Sequence, residues 1–181
     1  MNHRKYIHRY ADIILNSDHE LREELEEILG SISYEKVSEI FNKRNRERVN
    51  AGKKLMKGKQ SILNERFKEE FFIKGWEQEK SVFGSEEDND LRIDFWKRKV
   101  GVDIAFNHRS FIGGDLLRFQ AAAAEVVNKM KLGVYVCATK GLLNKISPFP
   151  SSLVNFESTQ WYLEKFYPVL TVPIYLIGLD K

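Results

Sequence analysis

Apolar residues along the chain recur first with a helical and then with a strand period. Leu21, Leu25, Ile28 and Leu29 fall on one helical face, Ser17 and Glu20 precede them at capping-box spacing, and Gly30 stands where a C-terminal cap would. Ser33 can cap a second helix whose Tyr34, Val37, Ile40 and Phe41 share a stripe, and which runs into a loop over residues 43–59. A third helix starts near Ser61, buries Leu63, Phe67 and Phe71, and ends at Gly75.

Beyond Gly75 the period shortens. Residues 76–83 read as a strand, Glu86, Glu87, Asp88 and Asp90 as an exposed turn, and residues 91–96 as a second strand. Lys97, Arg98 and Lys99 make a basic turn into residues 100–106, whose nearly continuous apolar run suits a central strand. After Gly113 and Gly114 a helix is predicted over 115–130, carrying Leu116, Phe119, Ala123, Val127 and Met130, with the run 121–124 small enough for close packing. Residues 132–138 form a further strand, Pro148 and Pro150 punctuate a Ser-rich loop, and residues 156–167 are helical. Residues 170–177 close the chain as a strand that Pro173 places at an edge. The expected fold is a mixed α/β (α+β) arrangement, a central mixed sheet flanked by helices, and its 181 residues with 43% hydrophobic content suit one domain spanning 1–181.

Composition narrows the function classes. The first residues lack an apolar run of signal-peptide length, and no stretch approaches the roughly 20 apolar residues of a membrane span, so the expectation is a cytoplasmic protein with no membrane role. The single Cys137 sits in an apolar run as a buried thiol, which sets disulfides and zinc aside. Net charge is +3, but residues 43–59 hold eight basic side chains (among them Arg46, Arg48, Lys53 and Lys54) and one acid, so that segment is +7 and the remainder −4. Such a segment either follows a phosphate backbone or is a solvated loop.

Two carboxylates carry the candidate chemistry. Asp94 and Asp103 each lie inside an apolar strand, where an unpaired charge costs several kcal/mol, so each needs a partner. Together with the backbone carbonyl of Ile104 and waters they could share Mg²⁺, which lowers the pKa of a bound water and neutralises charge on an attacked phosphate. The alternatives are an ion pair of Asp94 with Arg92 or Lys99 and a backbone hydrogen bond for Asp103. Two residues on, Ala105 shares the face of Asp103 and can neither donate a proton nor orient water.

The block Ile62-Leu63-Asn64-Glu65-Arg66-Phe67-Lys68, the Lys74-Gly75-Trp76 that follows, residues 93–106 with the two acids nine positions apart, and the ending 172–178 occur in the order seen in the BglII/BstYI restriction endonucleases, members of the PD-(D/E)XK nucleases. The resemblance covers roughly residues 10–180. It implies a type II site-specific deoxyribonuclease cutting double-stranded DNA at a short palindromic, GATC-centred site, with Mg²⁺ as cofactor and a homodimer as the working unit. It places the active site on Asp94, on Asp103 where the family has glutamate, and on Ala105 where it has glutamine. Glu65 is similar to the family's helical acid near the metal, or is an exposed helix residue in an ion pair. Asn107, His108, Arg109 and Ser110 resemble the base-contacting loop, and Asn and Arg have the donors and acceptors to read adenine and guanine edges. His108 is either a capping residue or a polar group turned to the metal, and Ser151 and Ser152 resemble a second DNA-contacting element or form a plain turn. Three functions follow for comparison: an active nuclease, a DNA-binding relative whose catalysis is impaired through Ala105, and an unrelated α/β interaction domain.

Overall fold

The computed structural model describes residues 1–83, 91–125 and 129–181, so the acidic turn at 84–90 and Val127 lie outside the described residues. The described strands are β1 (Asn2–His8), β2 (Glu77–Ser81), β3 (Arg92–Lys97), β4 (Val100–Ala105), β5 (Leu132–Ala138) and β6 (Ile174–Asp180). The helices are α1 (Ala11–Asn16), α2 (His19–Ser31), α3 (Tyr34–Asn50), α4 (Gln60–Ile73), α5 (Ile112–Ala124), α6 (Lys140–Ile146) and α7 (Phe156–Lys165). The sheet runs in the order β1-β6-β5-β4-β3-β2, parallel through β4, β5 and β6 and antiparallel at its two outer parts.

Strand β5 is buried at every position, as a continuously apolar strand covered on both faces must be. Its side chains divide cleanly. Leu132, Val134, Val136 and Ala138 join the core under α1, α2, α3, α4 and α6, whereas Tyr135 and Cys137 join the core under α5 and α7. Gly133 faces the second core, where a Cβ would lie 2.8 Å from the Phe119 ring, so the close seating of α5 depends on the missing side chain. Among the described residues no helix is long and apolar enough to cross a membrane.

Several predicted boundaries move. Asp18, not Ser17, caps α2 by accepting from the Leu21 amide, and Gly30 lies within that helix. Ser33 caps α3 as predicted, but α3 continues to Asn50 because residues 43–50 contain good helix formers and no breaker before Gly52, whose φ is +67°. Half of the expected basic loop is therefore helix. Gly113 and Gly114 fall inside α5, which ends at Ala124 and leaves Met130 outside it, and α6, capped by the Thr139 hydroxyl, fills a segment between β5 and the Ser-rich loop for which no element was predicted. Strand β6 is not at an edge. Pro173 precedes its first paired residue, so the missing N–H costs no ladder bond, and the edge is formed by β1, whose charged residues concealed its strand character.

Candidate active site

The hairpin β3–β4 is closed by Arg98 and Lys99, both with positive φ (50° and 67°), the twist that a two-residue connection requires. Arg98 then pairs with Asp18 at 3.0 Å and Glu20 at 2.7 Å, which ties the turn to the start of α2. From there the ladder proceeds through Lys97↔Val100 to Phe95↔Val102, and the next step brings Asp94 opposite Asp103.

At that step the carboxylates replace the main-chain ladder. The Ile104 amide donates to Asp94 Oδ2 at 2.8 Å, and the Asp94 amide donates to Asp103 Oδ1 at 3.1 Å. Side-chain alternation breaks at the same place, since Phe95 packs into one core and Ile93 into the other. On the neighbouring strand Glu79 falls opposite Asp94, between the pairs Gln78↔Phe95 and Lys80↔Ile93, and has φ +53°. Backbone strain of this kind is costly for a side-chain-bearing residue and gathers at functional sites. Three acids therefore lie in one row across β2, β3 and β4.

Electrostatics distinguish the two central acids. Burial pushes the Asp94 carboxyl up to about 7, and the nearby charge of Asp103 pushes in the same direction. Asp103, 2% exposed, is also raised by burial, against which the Arg118 guanidinium acts from 2.6 Å. Arg118 Nη2 also bonds Asp115 at 3.0 Å, and Asp115 accepts from the buried Tyr135 hydroxyl at 2.7 Å. The alternative of an Asp94 ion pair with Arg92 or Lys99 is not formed, since Asp94 is met by a backbone amide; the backbone hydrogen bond considered for Asp103 is present, and the cation of the site arrives from α5.

A cleft of about 390 Å³ opens at Asp94, lined by Asn64, Lys68, Gln78, Glu79, Asp94, Phe95, Ile104, Phe106 and Asn107, with Asp103 buried behind it. It lies at the carboxyl end of β4, where open α/β sheets bind their ligands. Helix α4 is set against it by aromatic contacts. Phe71 stacks on Phe95 with ring centroids 4.2 Å apart, and Phe67 lies 6.5 Å from Phe106. Asn64 and Lys68, one turn apart, consequently line the cleft, whereas Glu65 pairs with Arg44 at 2.7 Å and lines a separate depression with Arg48 and Lys53. The structure thus brings Asp94, Asp103 and Ile104 together and does not bring Glu65 to them.

Among the described residues no group of three His, Cys, Asp or Glu side chains converges as a ready metal-binding set. The donor chemistry nevertheless suits a hard divalent cation that takes one or two carboxylates and completes its shell with water and phosphate oxygens, and the raised Asp94 pKa marks negative charge that such a cation would relieve. Ala105, 3% exposed, packs in the same core as Ile112 and Leu116 and adds no polar group.

The other predicted positions lie on the loop after β4, on the turn Pro150–Ser152 and around the end of α3. His108 caps the short turn Arg109–Phe111, with Nδ1 accepting from the Ser110 amide and lying 2.9 Å from its hydroxyl, so its ring is engaged locally. The Val154 amide donates to Asn107 O at 3.0 Å, and His108 bridges to Leu153, which fastens this loop to the turn Pro150–Ser152. Ser152 is spent on Phe149 O, whereas Ser151 and Arg109 are exposed and line one depression together with Lys140. Arg46, Lys53 and Lys54 are exposed, and Arg48 Nε donates to Lys54 O. Sequence reasoning missed Arg118, Glu79 and Lys68 as neighbours of the acids. Asp115 and Arg118, three apart on a helix, were a usable signal; Glu79 and Lys68 had none.

A family model for the restriction endonucleases BglII/BglIII matches residues 3–179. Of the solved structures, restriction endonuclease BglII complexed with a DNA 16-mer superposes with a TM-score of 0.71 at 21% identity, covering 100% of this chain and 79% of that one. Free BglII gives 0.62 at 23%, covering 100% and 80%. No curated protein matches the sequence. At such identities the superpositions speak for the fold, a mixed sheet between helices, while the family match runs over nearly the whole chain and includes the strand pair that opposes Asp94 to Asp103. The chain belongs to the BglII/BglIII family of restriction endonucleases, whose activity is site-specific DNA cleavage.

Proposed function

We propose that this chain is a Mg²⁺-dependent endonuclease that cuts both strands of a short palindromic, GATC-centred DNA site as a homodimer. The observation that carries this reading is the acid pair, Asp94 joined to the buried Asp103 through backbone hydrogen bonds, with Asp94 lining a cleft that Asn107 also lines. Asp94, Asp103 and the Ile104 carbonyl would hold the cation, which when bound supplies an acidified water and a counter-charge for the phosphate. Arg118 orients the Asp103 carboxyl and favours its charged form against the effect of burial. Asn107, Arg109 and Ser110, with Ser151, face base edges, and Arg46, Arg48, Lys53 and Lys54 follow the phosphates. A two-fold dimer matches a palindrome because each protomer meets the same half-site.

A second reading is a DNA-binding relative with impaired catalysis, and the observation that favours it is the apolar packing of Ala105. Incubation of methylation-free, GATC-bearing plasmid DNA with the protein in Mg²⁺, then in Mn²⁺, separates the two. Discrete fragments support the nuclease, intact DNA with a sequence-specific gel shift supports the impaired relative, and neither fragments nor shift would overturn both.

A further inference from the structure

Phosphodiester hydrolysis needs, besides the acids, a donor for the non-bridging oxygens on which charge builds. Of the residues that line the Asp94 cleft, Asn64, Gln78 and Asn107 are neutral, Glu79 and Asp94 are acidic, and Lys68 is the cation. The other basic side chain of α4 is committed: Arg66 pairs with Glu70 at 2.8 Å and with Glu69, as its neighbour on α3, Arg44, does with Glu65. Lys68 is exposed and has no ion pair or hydrogen bond among the described residues. Its placement is not free to drift, because Phe67 and Phe71, 0% and 1% exposed, fix the rotation of α4, and the Phe71–Phe95 stack joins this helix to the residue after Asp94.

Resting on the nuclease reading above, we propose that Lys68 is a catalytic residue of this chain, contacting the scissile phosphate from α4 and supplying the polar group that Ala105 lacks on β4. A water oxygen bonds to phosphorus and one phosphorus–oxygen ester bond breaks. One proton of the water ends on the departing sugar oxygen, and the other on the new phosphate or in solvent. Lys68 keeps its proton throughout and donates it in hydrogen bonds to the phosphate oxygens.

The test compares wild type with Lys68→Met and Lys68→Arg on a GATC-containing duplex, in two readouts. Single-turnover cleavage in Mg²⁺ should fall by about 10²–10³-fold in Lys68→Met, the loss typical of one transition-state donor, and less in Lys68→Arg. Metal-free binding as a function of salt should lose about 0.9 from the slope of log K against log salt in Lys68→Met, the signature of one phosphate contact. An unchanged slope together with wild-type cleavage by Lys68→Met would overturn the assignment while leaving the nuclease reading intact. A wild-type protein that neither binds nor cuts the duplex would overturn both. Because Lys68 is exposed and has no partner among the described residues, the variants should fold as wild type, which circular dichroism checks.

Discussion

Replacing Arg118 by Met should destabilise the protein severely, and the loss should depend on pH. The guanidinium bridges Asp103 at 2.6 Å and Asp115 at 3.0 Å, and these carboxyls are 2% and 5% exposed. Methionine keeps much of the apolar stem but removes the cation, leaving two buried carboxylates with the Asp94 amide, the Tyr135 hydroxyl and the Asn107 side chain as their remaining donors among the described residues. Breaking a buried pair from one side costs about 3–5 kcal/mol, which for a chain of this size lowers Tm by roughly 6–20 °C. At about pH 5 the orphaned carboxyls protonate more readily, so the deficit should shrink there. The double variant Asp103→Asn/Arg118→Met, which removes the charge from both sides, should recover part of the stability at neutral pH. Adding Mg²⁺ to Arg118→Met should also recover part of it, because the cation would take up the charge of the acids. Urea denaturation followed by circular dichroism at about pH 5 and about pH 7.5 measures all of this. A loss below about 1 kcal/mol, or one equal at both pH values, would refute the claim that Arg118 compensates the buried acids.

Two further expectations concern charge. Because the Asp94 carboxyl is raised to about 7, the folded chain holds a proton between about pH 4 and about pH 7 that the unfolded chain has released, so this group's contribution to stability is lost as pH rises through that window. Metal-free wild type should lose Tm relative to Asp94→Asn between about pH 5 and about pH 8; a constant difference would contradict the shift. Reversing the exposed charges Arg46, Lys53 and Lys54 to glutamate should weaken DNA binding and flatten its salt dependence, read by fluorescence anisotropy at several salt concentrations, and unchanged binding would make the segment a bystander.

Element types in the second half of the chain were legible because burial on both faces leaves a continuous apolar run, as in β4 and β5, and the acid pair was legible because a charge inside such a run is anomalous. Edge strand β1 was not, since a strand exposed along one side can carry His3, Arg4 and Lys5 without an apolar signature. The continuation of α3 was hidden by charge, which marks solvent exposure in helix and loop alike. Within the site, the backbone hydrogen bond considered for Asp103 is present, from the Asp94 amide, but the ion pair of Asp94 with its sequence neighbours Arg92 or Lys99 is not, and the cation that meets Asp103, Arg118, comes from fifteen residues away through the packing of α5 on β4. Glu79 and Lys68 reach the cleft through the cross-strand register and the rotation of α4, neither of which sequence spacing encodes.

Asp94→Ala is the most direct test of the acid pair as the cleavage centre. Cleavage of a GATC-containing duplex in Mg²⁺ should be abolished, while specific gel-shift binding and the far-ultraviolet circular dichroism spectrum match wild type. Cleavage retained at the wild-type rate would contradict the assignment of Asp94 and Asp103.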